Sequence, residues 1–63
     1  MELQNKTISE INLNIMYLIS IKEDLNLFYY TKNKINGMID LAHSLELIAD
    51  ETALIFYTRL SLI

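Results

Sequence analysis

The single histidine, His43, stands three residues after Asp40 and three before Glu46. On a helix this spacing brings an imidazole and two carboxylates onto neighbouring turns, the donor types of a zinc or di-metal centre. Such a centre needs a second carboxylate-x-x-His motif and further inward-facing Glu residues. The sequence has neither, so Asp40, His43 and Glu46 read as a solvated helix flank with a local Asp–His attraction, and no metal is expected. Ser44 adjoins His43, but adjacent helical side chains diverge by about 100°, which parts the hydroxyl from the only imidazole base. Gly37 is the sole glycine, so no glycine-rich loop exists to hold a phosphate. No catalytic residue and no cofactor are expected, and the chain reads as not an enzyme.

The remaining chemistry-bearing residues suggest contact surfaces. Tyr17, Tyr29, Tyr30 and Tyr57 could stack bases of a single strand, but stacking platforms are interleaved with basic residues in a positive groove. Only Tyr29 and Tyr30, followed by Lys32 and Lys34, approach that pattern; otherwise the rings suit the margins of a core or interface, where the hydroxyl stays wet. Asn33, Gly37, Asp40 and Ser44 form a stripe of small or short polar residues, either a wet helix face or a groove for a partner's backbone. A mid-helix glycine costs about 1 kcal/mol relative to alanine unless close approach recovers it. Tyr29, Tyr30, Lys32, Asn33, Lys34, Gly37, Asp40 and Ser44 are therefore the expected partner-binding residues.

Composition bounds the class. The 63 residues carry five basic and eight acidic side chains, a net charge of −3, which disfavours nucleic acid because phosphate contacts need clustered Lys and Arg. Without cysteine there is no disulfide and no thiolate metal site, and the expected compartment is the cytoplasm. A domain this small buries only about 60% of its unfolded surface, so reinforcement by assembly is expected. The opening "MELQNK" is polar and reads as no targeting signal. The longest uncharged run, Ile11 to Ile21, is about half the ~20 residues that a membrane span requires, so none is expected.

Elements follow from punctuation and period. There is no proline, and the one glycine cannot supply the turns of an all-β chain, so the fold class is all-α, a single domain over 1–63. "TISE" at Thr7–Glu10 has the form of a capping box and predicts a first helix over about 8–20, with Ile8, Ile11, Ile15, Leu18 and Ile19 on its inner face. A turn near Ser20–Asp24 is preferred over one at Thr31–Lys34, because Ile21, Leu25, Phe28, Ile35, Ile39 and Ala42 then share a face of a second helix over about 23–46. A third helix is predicted over about 50–61, opening on Asp50 and Glu51 and turning Ala53, Phe56, Tyr57, Leu60 and Ile63 inward.

The first helix has large apolar residues off its inner stripe as well. Leu13, Met16 and Tyr17, joined by Ile55 and Leu62, are the expected self-association surface, and the three helices are expected to assemble as a homodimeric bundle. The functional expectation is a small protein-binding regulator or inhibitor that works by occupying a surface of a larger protein. Small size and an Ile, Asn, Lys and Tyr bias fit a phage- or plasmid-encoded accessory protein. The alternative is a dimeric helical regulator that touches RNA or DNA through Lys32, Lys34 and the nearby tyrosines.

Overall fold

With proline absent and one glycine in the middle of a helix, the backbone finds few reasons to leave the helical region. The computed structural model describes residues 2–63, and these form three helices: α1 Glu2–Ser20, α2 Leu25–Ser44 and α3 Asp50–Ser61. The chain runs up, down and up again. His43 at the end of α2 meets Asp50 at the start of α3, and Asp40 meets Tyr57 two turns further along, so α2 and α3 are antiparallel. The molecule is a short rod with extents of 36 × 18 × 15 Å.

Each helix contributes one buried stripe at 3–4 spacing. Ile11, Ile15 and Leu18 come from α1, Phe28, Ile35, Ile39 and Ala42 from α2, and Ala53, Phe56 and Leu60 from α3. Ile48, in the connection between α2 and α3, closes the core at one end. Burial of each Ile, Leu or Phe side chain among these contributes about 1.5–3 kcal/mol relative to leaving it in water. α2 is the common neighbour, packed along both α1 and α3. The α1 and α3 helices are tied by the Arg59 guanidinium, which donates to the Asn12 side-chain oxygen at 2.6 Å and lies over the Phe56 ring.

Several boundaries differ from the sequence expectation. α1 starts at Glu2 rather than Ile8, and the capping box does not form. Nothing in "ELQNK" breaks a helix, and the Thr7 hydroxyl donates back to the Leu3 carbonyl at 2.8 Å, the bond of a helix-interior threonine. The turn falls within Ser20–Asp24, and Thr31 is buried in the middle of α2. α2 begins two residues later than expected, with the Asp24 carboxylate accepting from the Leu27 amide as its N-cap. It ends two residues earlier, because Glu46 adopts a left-handed φ of 59°. The Leu47 amide then donates to Ala42 at 2.9 Å and the Glu46 amide to His43 at 3.0 Å, the paired bonds of a Schellman cap. α3 has the expected limits, with Ala49 as an N-cap that makes no side-chain hydrogen bond.

Two expected core residues are outside. Ile19 is 49% exposed because it lies at the edge of the α1 stripe, where α3 has ended. Leu25 is 64% exposed because it opens α2 on the flank of its first turn. Ile8, Ile21, Tyr57 and Ile63 pack half-buried against the core margin.

Candidate interaction surface

The side of α1 turned away from the core carries Ser9, Leu13, Met16 and Ser20 at spacings of four, three and four, the repeat of a coiled-coil seam. Leu13 is 58% exposed, Met16 62% and Tyr17, beside them, 50%. The same helix thus has a closed apolar stripe against the molecule and an open one against solvent. On α3 and its C-cap, Ile55 and Leu62 are both exposed and lie four residues before and three after Arg59. Met16 lies four residues after Asn12, on the side of α1 that the Arg59–Asn12 bond joins to α3. Leu13 and Tyr17 sit further round α1 and face more directly away from α3.

The outer side of α2 carries Asn33, Gly37, Asp40 and Ser44, all exposed, with Tyr29 and Tyr30 one turn earlier. A Cβ added at Gly37 would meet nothing within 4 Å, so no packing inside the molecule calls for a glycine there. The two lysines do not share a face, since positions two apart on a helix diverge. Lys32 is half-buried with its ammonium 5.8 Å from the Phe28 ring centroid, while Lys34 is exposed on the other flank. The ring of Tyr29 packs edge-on to Phe28.

Asp40, His43 and Glu46 do not converge. The His43 Nε2 and the Asp50 carboxylate are 2.6 Å apart, and Asp40 accepts a hydrogen bond from the Tyr57 hydroxyl. That bond, then partial burial and the Asp40 charge, raise the Tyr57 phenol above its ordinary value of 10.0. Glu46 is exposed at the helix cap. Among the described residues no group of three or more His, Cys, Asp or Glu side chains is placed to hold a metal ion. No described helix is long and apolar enough to cross a membrane.

One further surface lies outside the sequence expectation. At the end of the rod where α1 begins, Thr7, Ile11, Met38, Leu41, Ala42, Leu45 and Leu47 enclose an open apolar cleft of about 210 Å³. Leu41 and Leu45 are exposed, four residues apart and off the buried α2 stripe, and that pairing was the available signal. The cleft has one hydroxyl, on Thr7, and it is already committed to Leu3. The chain matches no protein-family model, and neither the curated proteins nor the solved structures contain a significant match to it.

Proposed function

We propose that this chain is a small non-enzymatic regulator or inhibitor that pairs with a second copy through the outer face of α1 and acts by occupying a surface of a larger protein. The observation that carries this reading is the two-sided character of α1. Ile11 and Ile15 are 1% exposed and Leu18 0%, yet Leu13, Met16 and Tyr17 on the same helix are at least half exposed. A helix apolar on two sides is at its most stable when both sides are covered.

A second copy fits the open side because the seam is self-complementary. From Ser9 to Ser20 it holds only Ser, Leu and Met, so a two-fold pair meets no like charge along it. Pairing there leaves the outer face of α2, with Tyr30, Asn33 and Gly37, free for the larger protein.

Substitution of Leu13 or Tyr17 by Glu tests the pairing, since either buries an unpaired charge in the seam. Sedimentation velocity should show self-association weakened at least ~10-fold in Leu13→Glu, with an unchanged helical circular dichroism spectrum. A wild type that stays monomeric at millimolar concentration would remove the self-association part. Affinity capture with Gly37→Arg as the control addresses the larger partner: the target should be retained by the wild type and lost by the variant.

A further inference from the structure

The core stripe of α2 steps through Phe28, Ile35, Ile39 and Ala42 on a heptad. Continued without a break, the next two steps land on Glu46 and Ala49. The steps after those land on Ala53, Phe56 and Leu60, which are the three buried residues of α3. A helical hairpin does not require this agreement, because a reversed helix sets its own phase. A single helix running from Leu25 to Ser61 does require it, and would present one continuous seam about 55 Å long.

The connection itself resists being a turn. Leu45–Ala49 reads "LELIA", with neither glycine nor proline, and its residues all favour or tolerate helix. The turn depends on Glu46 at a φ of 59°, a conformation that a residue with a Cβ rarely adopts. Beyond it, Ala49 offers no side-chain acceptor to the first amides of α3. In a continuous helix the amides of Asp50, Glu51 and Thr52 would find the carbonyls of Glu46, Leu47 and Ile48.

We infer that this protein has a second, domain-swapped dimeric state in which α2 and α3 fuse into one helix and the α3 segment of each copy packs on the α1–α2 hairpin of the other. The contacts that hold α3 in the hairpin are made equally well between copies: Tyr57 to Asp40, Arg59 to Asn12, and the three buried α3 side chains. The states differ at the hinge. Fusing the helices relieves Glu46 and caps the first turn of α3, and it gives up the Schellman bonds, the burial of Ile48 and the His43–Asp50 contact within one chain, whose partners then stand about 10 Å apart along the helix. The swapped state takes two chains, so by mass action the hairpin dominates in dilute solution and the swapped pair gains with concentration.

The absence of native cysteine permits a direct test by spin labels on Asn33→Cys and Ser61→Cys, both exposed positions. Labelled chain is unfolded and refolded with excess unlabelled chain, so that only distances within one chain are read. The hairpin gives roughly 10–20 Å between neighbouring antiparallel helices, and the fused helix about 42 Å for 28 residues of rise. We expect a long-distance population in concentrated wild type. Glu46→Ile, β-branched and apolar, should enlarge it, and Glu46→Gly, at ease with positive φ and poor in helix, should shrink it roughly tenfold. Leu13→Glu should leave it unchanged, which separates the swap from pairing through α1. Short distances alone in both wild type and a folded Glu46→Ile, at every concentration, would overturn the inference, and a dimer that shows only short distances would do the same while leaving the α1 pairing standing.

Discussion

The two connections of this molecule reverse the chain by different means. Between α1 and α2, the Asp24 carboxylate accepts from the Leu27 amide, and the Asp24 amide donates to Ile21 at 3.1 Å, so the reversal is written into residues that are neighbours in sequence. Between α2 and α3, the residue at the left-handed position is Glu46 rather than glycine, and the N-cap is an alanine without a side-chain bond. This second turn is held by its Schellman bonds, by the His43–Asp50 pair across it and by Ile48, 5% exposed and packed into the core. The first turn is specified by a side-chain cap, and the second leans on tertiary burial as well as on its backbone bonds.

That contrast can be broken first at Ile48. Replacing it with Ala should cost about 2–5 kcal/mol in urea unfolding, the largest effect of any single change in either connection. Asp24→Ala should cost about 1 kcal/mol, the ordinary loss of an N-cap, because Asp24 is exposed and no core packing goes with its carboxylate. Ala49→Ser should do the reverse, adding roughly 0.5–1 kcal/mol by giving α3 the acceptor it lacks.

The smallest effect is expected from pH, at the Tyr57–Asp40 bond that ties α3 to α2. The hydrogen bond to Asp40 raises the Tyr57 phenol above 10.0, so its contribution is complete below pH 10.0 and fades as pH climbs through the raised value. Ultraviolet difference titration of the wild type against Tyr57→Phe should show the Tyr57 phenol ionising above pH 10.0. The alkaline loss of stability should diminish in Tyr57→Phe.

Legibility in the sequence followed the same division. The period of Ile11, Ile15 and Leu18, and of Phe28, Ile35, Ile39 and Ala42, placed the inner faces correctly, because side-chain period is dictated by helix geometry. The α1–α2 break could be found because a continuous face across Thr31 left only Ser20–Asp24 for the turn. The start of α1 was misplaced because "TISE" is equally compatible with a helix interior, where Thr7 bonds back to Leu3. The end of α2 was misplaced because no residue type announces a left-handed glutamate. Of the surface residues, Leu13, Met16, Tyr17, Ile55 and Leu62 are all exposed, and their position follows from period alone. The separation of Lys32 from Lys34 was also implicit in the period, and proximity in sequence obscured it. The pairing of His43 with Asp50 was not legible, since it spans a reversal whose geometry had to be known first.

The cleft beside Ile11 has a consequence for how the rod breathes. Ile11 and Ala42, though buried, line a recess open to solvent, and Ile15, Leu18 and Ile35 are not part of its lining. Thermal opening should therefore begin at this end. Hydrogen exchange should reach the amides around Ala42 before those around Ile35, and small hydrocarbons or xenon should enter there, slowing that exchange by filling the gap.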